Sequence, residues 1–188
     1  CMTFLRVGDV LDKYKVVKLL GEGGMAVVWL AERRGGGLFV VKEPRKSQNF
    51  EVNVAAIRVE WRVLRQVKSD YVANLADGYV LREEGAPEVP LVVIEYVDGP
   101  SLKAIKTPVS REEAFGYLRM ILSGLLALQG QNVIHRDLKP SNVMVDRRTG
   151  VAKIIDLGTA QFYYERAKHM VMSPGGWTAP EQLRGTSL

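Results

Sequence analysis

Apolar and polar residues alternate along the first hundred positions and then give way to a helical rhythm. The stretch "YKVVKLL" alternates roughly, "GEGG" breaks it, and "MAVVWLAE" resumes it, which predicts two strands joined by a glycine turn. "RRGGG" reads as a second turn and "LFVVKE" as a third strand. From Glu51 to Val67 the apolar positions Val54, Ile57, Trp61, Leu64 and Val67 recur at helical spacing. Two more strands are predicted near 78–83 and 90–96, split by the turn-like "EEGAPEVP". After Gly99 the pattern turns helical. Ser110 and Glu113 form a capping box, and behind them Phe115, Leu118, Ile121, Leu122, Leu125 and Leu128 make an apolar stripe ended by Gly130. The expected class is α+β, a β-rich first part meeting an α-rich second part near "EYVDGPS". A cleft between two such parts is a usual place for a ligand.

Composition narrows this picture only a little. A chain of 188 residues, 47% hydrophobic and 25% charged, can bury a real core in one or two domains. No apolar run is long enough to cross a bilayer, and the N-terminal residues lack the order of a signal peptide, so a cytoplasmic protein is expected. The single cysteine, Cys1, excludes an intrachain disulfide and a cysteine-based metal cluster. A net charge of +5 fits a solvated basic surface, and no nucleic-acid partner is expected.

Chemistry concentrates at a few places. Gly21, Glu22, Gly23 and Gly24 form either a plain tight turn or a loop whose amides approach a phosphate closely; the Lys-Ser/Thr ending of a P-loop is missing. Lys42 closes an apolar strand, where it faces either solvent or a phosphate. Glu60 lies beside the apolar stripe of its helix, which is costly for a carboxylate unless it is paired, and Lys42 is an available partner. "VIHRDLKPSNVMV" sets Asp137, Lys139 and Asn142 on one short loop. Asp137 suits either taking a hydroxyl proton or only orienting the hydroxyl. Lys139 suits neutralising a phosphate, and Asn142 suits ligating a hard cation through its amide oxygen. "KIIDLGTA" ends an apolar strand in Asp156, either a turn aspartate or a second magnesium ligand.

In chain order, "GEGGMAVV", "VVK", Glu60, "HRDLKPSN", "DLG" and "APE" resemble the signature set of the eukaryotic-type (Hanks-type) serine/threonine protein kinases, a family also widespread in bacteria. The resemblance runs from about Val10 onward. It implies a bilobal protein-kinase-like fold: an N-lobe over 10–97, with a five-stranded sheet and one long helix, and a partial C-lobe over 98–188. It implies ATP and Mg²⁺ as cofactors and a protein substrate. The amides of Gly21–Gly24 would cover the ATP phosphates, and Lys42 would hold the α- and β-phosphates while paired with Glu60. Asp137 would position the hydroxyl and take its proton, Lys139 would stabilise the transferring group, and Asn142 and Asp156 would bind Mg²⁺. "VVIEYVDG" resembles the hinge, so the backbone of Glu95 and Val97 would bond adenine, Ile94 would be the gatekeeper, and Val28, Val40 and Met144 would sandwich the ring. His135 takes a structural role. Lys139, two residues after Asp137, implies serine/threonine specificity. Arg136 implies control by activation-segment phosphorylation, with Thr159, Tyr163, Tyr164, Ser173 and Thr178 as candidate sites.

Some positions depart from the family pattern. Ala26 stands for a glycine, Leu157 for a phenylalanine, and Pro174 for a threonine that ties the substrate loop to the catalytic aspartate and lysine. The resemblance also implies further helices beyond Leu188. Without them the face of residues 115–128 is expected to lack part of its cover, and Glu181 its usual cation. Either the chain is a piece of a longer kinase, weakly active by itself, or a partner chain or self-association supplies the missing helices. A pseudokinase-like ATP-binding scaffold and a small-molecule kinase are the alternatives. The retained Lys42, Asp137, Asn142 and Asp156 weigh against the first, and "APE" with Lys139 against the second.

Overall fold

The computed structural model describes residues 3–82, 84–164 and 176–184. Its elements are β1 (Val10–Leu11), β2 (Tyr14–Glu22), β3 (Ala26–Arg33), β4 (Leu38–Pro44), α1 (Phe50–Gln66), β5 (Leu75–Leu81), β6 (Val89–Glu95), α2 (Arg111–Gln129), β7 (Val133–Ile134), β8 (Val143–Val145), β9 (Ala152–Ile154), β10 (Gln161–Phe162) and α3 (Pro180–Arg184). They fall into two compact units. One holds Cys1–Arg65 with Asn74–Tyr96, the other Gln66–Ala73 with Val97–Leu188. Among the described residues no helix is long and apolar enough to cross a membrane.

The first unit is built on an antiparallel sheet in the order β1-β2-β3-β4-β6-β5. Six strands replace the expected five. Val10 and Leu11 pair with Lys15 and Tyr14 around a tight turn in which Asp12 takes a left-handed φ of 52°. Two residues are too few to show a period, so the sequence pattern is silent there. The valine-rich strands bury Val16, Val27, Trp29, Ala31, Val41, Leu91 and Val93 in one core, which Leu5 joins from the N-terminal segment. Gly78 in β5 lies under Trp61 of α1, and a Cβ there would overlap the indole, so α1 and β5 approach only because this strand residue has no side chain.

In the second unit, β8 and β9 form one hairpin ladder and β10 pairs with β7. Residues 66–73, expected with the first part, belong here. Val72 bridges Ile154, and the Ala73 N–H donates to the Ile154 carbonyl at 2.9 Å. Val143, Val145 and Ala152 pack with Tyr117, Met120 and Ile121 of α2. Gly124 permits this packing: a Cβ would sit 2.8 Å from the Tyr71 carbonyl and 2.9 Å from the Ile154 side chain.

Helix α2 departs from expectation in three ways. Only half of the capping box forms: Ser110 Oγ accepts from the Glu113 N–H at 3.1 Å, whereas the Glu113 carboxylate accepts from Tyr117 Oη at 2.7 Å. Gly130 keeps a right-handed φ of −60°, and the left-handed residue of the turn is Asn132, at 58°. The single apolar stripe is also split. Leu128 is buried and Ile121 half-buried, but Phe115, Leu118, Leu122 and Leu126 are exposed. Leucines surround this helix, so its period leaves the buried side open.

Candidate active site

In the first unit the alternation of β4 does the sorting. Val41 and Glu43 look toward the core that holds Trp29 and Val93, while Val40 and Lys42 look to the opposite face. Lys42 is paired with Val28 of β3, and Val40 with Ile94 of β6, and cross-strand partners share a face. Val28, Val40, Lys42 and Ile94 therefore lie together. Helix α1 buries Asn53, Ala56, Ile57, Glu60, Val63 and Leu64, so a carboxylate occupies the middle of its inner face. Lys42 Nζ stands 2.6 Å from Glu60 Oε1, with side chains 7% and 2% exposed. A buried pair in this geometry satisfies two charges that would each be costly alone.

The glycine stretch belongs partly to a strand, since β2 continues through Glu22. The turn closes when the Gly23 N–H donates to the Ala26 carbonyl at 2.8 Å, and Arg45 Nη1 donates to the Gly23 carbonyl at 3.1 Å. At Gly21 and Gly24 a Cβ would meet nothing within 4 Å, and neither residue has a positive φ. Nothing in the fold itself requires glycine at these two positions. The Glu95 N–H donates to the Asn74 carbonyl at 2.9 Å, and the Glu95 carboxylate accepts from the Asn74 N–H at 3.2 Å.

In the second unit, β7 leads into the loop of His135 to Asn142, and a short 3₁₀ turn at Pro140–Asn142 leads out into β8. Lys139 Nζ donates to Asp137 Oδ2 at 2.7 Å, and Asn142 Nδ2 donates to the same oxygen at 3.2 Å and to the Asp137 carbonyl at 2.8 Å. The Asp137 side chain is 9% exposed, and its other oxygen, Oδ1, is buried with no partner among the described residues. His135 is buried, and its Nδ1 accepts from the Asp137 N–H at 3.3 Å. Burial holds its pKa below the ordinary histidine value, against the opposing charges of Asp156 and Asp137. Asp156 is exposed and left-handed, with φ 66°, and Leu157 behind it is buried. Met144 is half-buried on β8, and Val97 is buried.

The candidate regulatory residues separate. Thr159 is buried, and its hydroxyl donates to the His135 carbonyl at 3.2 Å, so it is not presented for modification. Thr178 is half-buried, while Tyr163 and Tyr164 are exposed. Ser173, with Pro174, lies outside the described residues. Glu181 is half-buried. Arg136, left-handed at φ 65°, donates from Nε to the Thr159 carbonyl and from Nη1 to Gln161 Oε1, both at 2.7 Å. Gln182 Nε2 donates to the Arg136 carbonyl at 3.2 Å. Neither glutamine was expected at the site, because nothing in periodicity or motif marks them. Asn53 is a third such residue: from inside α1 it donates to the Arg45 carbonyl at 2.8 Å and to Ser47 Oγ at 3.0 Å, fixing the path from β4 into the helix.

The fold is that of a protein kinase domain. That family matches residues 14–188, and the chain belongs to it. The probable serine/threonine-protein kinase PknB of Lactococcus lactis is 28% identical over 97% of this chain and 30% of its own length. The probable serine/threonine-protein kinase PknB of Bifidobacterium longum is 31% identical over 94% of this chain and 27% of its own length. The serine/threonine-protein kinase sid1 of Schizosaccharomyces pombe is 30% identical, covering 94% of this chain and 37% of its own length. The chain spans about a third of the length of these relatives.

Proposed function

We propose that this chain carries phosphoryl transfer from ATP to serine and threonine hydroxyls of proteins. The observation that carries the proposal is the divided carboxylate of Asp137. Its Oδ2 is occupied by Lys139 and Asn142, and its Oδ1 is buried without a donor. A buried acceptor lacking a donor is costly, and an incoming hydroxyl would satisfy it. Asp137 would thus orient the hydroxyl and receive its proton at Oδ1 as the oxygen attacks phosphorus. Lys139, fixed on Oδ2, would lie close to the transferring group and offset its charge. Lys42, held by Glu60, would meet the ATP phosphates, and the open space at Gly21 and Gly24 supports close approach of phosphate to backbone. Val28, Val40, Ile94 and Met144 would flank the base, with the backbone of Glu95 and Val97 bonding its edge.

Among the described residues no group of three or more His, Cys, Asp or Glu is placed to hold a metal ion. Magnesium does not need one, since it is commonly held by one or two protein oxygens with phosphate and water completing the set. The Asn142 amide nitrogen is taken by Asp137, so its oxygen is the atom it has to offer a cation, and Asp156 supplies a carboxylate. Magnesium, when bound there, neutralises charge on the phosphates.

Incubation with labelled ATP and a mixture of proteins tests the proposal. The native chain is expected to label serine and threonine. Asp137→Asn is expected to lose transfer by at least about a thousandfold while binding ATP within about threefold, because Asp137 meets the hydroxyl and not the nucleotide. Native turnover in Asp137→Asn would refute the assignment of the loop.

A further inference from the structure

Arg136 is held by contacts with Thr159, Gln161 and Gln182. Its left-handed backbone is a conformation that a residue with a Cβ keeps only where its surroundings impose it. Three contacts do so. The Thr159 carbonyl takes Nε–H and the Gln161 amide oxygen takes Nη1–H, each at 2.7 Å, while Gln182 Nε2 donates to the Arg136 carbonyl at 3.2 Å. Each contact is itself anchored. Pairing of β10 with β7 sets Gln161 opposite Ile134, two residues before Arg136. The Thr159 hydroxyl donates to the His135 carbonyl, and the Gln182 amide oxygen accepts from the Ala179 N–H at 3.4 Å. Arg136 is joined directly to Asp137, so restraints on its side chain and its carbonyl reach the carboxylate-bearing residue through one peptide bond. A phosphate would be the stronger partner for a guanidinium, but an amide oxygen at 2.7 Å supplies the same fixed direction without a charge.

We propose that Gln161 and Gln182 are positioning residues for phosphoryl transfer. They hold Arg136, and through it Asp137, so that the catalytic loop is set without a phosphate bound to Arg136. This rests on the transfer function proposed above and adds how its loop is controlled. Gln161 is the more informative position, because Gln161→Glu keeps an acceptor for the guanidinium whereas Gln161→Ala removes it.

Two measurements on the native chain, Gln161→Ala, Gln161→Glu and Gln182→Ala test the proposal. In nitrogen-15 NMR the Arg136 Nε–H signal is expected to exchange slowly in the native chain and in Gln161→Glu, and to join the fast-exchanging arginines in Gln161→Ala. In the transfer assay, Gln161→Ala and Gln182→Ala are each expected to lower kcat about tenfold or more with KM for ATP within about threefold, and Gln161→Glu to recover to within about threefold of native. Phosphatase treatment, verified by mass spectrometry, is expected to leave native kcat unchanged. An Arg136 signal unaffected by Gln161→Ala, or a native rate abolished by phosphatase, overturns the proposal. If no chain transfers phosphate, the transfer function itself has failed, and the Arg136 exchange measurement alone decides whether the glutamine restraint exists.

Discussion

At Asp137 and His135, two residues apart on one loop, two buried side chains are held in different ways. The carboxylate of Asp137 is held by Lys139 and Asn142, which bind one of its oxygens. The imidazole of His135 is kept neutral, because burial opposes a charge that Asp156 and Asp137 would otherwise favour. His135 Nδ1 accepts from the Asp137 N–H, so the histidine supports the loop. A pH dependence follows. A histidine whose folded pKa is lowered contributes its full stability above the unfolded value of about 6.5, and loses it as pH falls below that value toward the folded one, since the unfolded chain takes up the proton first. Urea unfolding between about pH 7.5 and about pH 5 is expected to show native stability falling with acidity, and His135→Phe to flatten that slope. An identical slope in both proteins would mean that His135 is not the group responsible.

At the scale of elements, the candidate chemistry depends on α1 delivering Glu60 to β4. The helix buries this carboxylate among Ile57, Val63 and Leu64, which would oppose folding if Lys42 did not answer it. Removing one partner should therefore be worse than removing both. Lys42→Met is expected to destabilise by about 3 kcal/mol, and Lys42→Met with Glu60→Leu to return to within about 1 kcal/mol of native, because two apolar side chains of similar size need no pairing. Both proteins are expected to lack phosphoryl transfer. Stabilities from urea titration form the cycle, and a double variant no more stable than the single one would show that the pair is not an isolated charge couple. The second unit relies on the same economy of fit in another form, since Gly124 lets α2 lie against Tyr71 and Ile154.

At the scale of the whole molecule, one feature of the described residues that the candidate site does not use is the outer side of α2. Phe115, Leu118, Leu122 and Leu126 repeat every three or four residues and stand exposed, Leu126 at 66% and Phe115 at 52%. Contiguous apolar surface of this kind drives association when nothing else covers it. Sedimentation velocity is expected to show the chain associating as its concentration rises, and Phe115→Ser with Leu126→Ser to weaken this association by about tenfold or more. A chain that stays monomeric up to the highest soluble concentration would show that this face is tolerated in water.

Much of the architecture is legible in the amino-acid sequence. Alternation in "YKVVKLL" and "LFVVKE", the helical recurrence from Glu51 to Val67 and the glycine breaks are local properties, and local backbone preference with one buried face is enough to produce them. The order of motifs likewise put Lys42, Glu60, Asp137, Asn142 and Asp156 under consideration from residue types and spacing alone. What remained open was every choice between faces and between partners. The tertiary structure turned Lys42 away from the core, buried Glu60 against it, hid Thr159, and set Gln161 against Arg136. It also added β1 to the sheet, moved residues 66–73 into the second unit, and divided the leucines of α2 between a packed and an open side. A period states that a segment has an apolar face but not what will cover it. A polar side chain is committed only when burial removes its water and leaves one particular neighbour within hydrogen-bond reach.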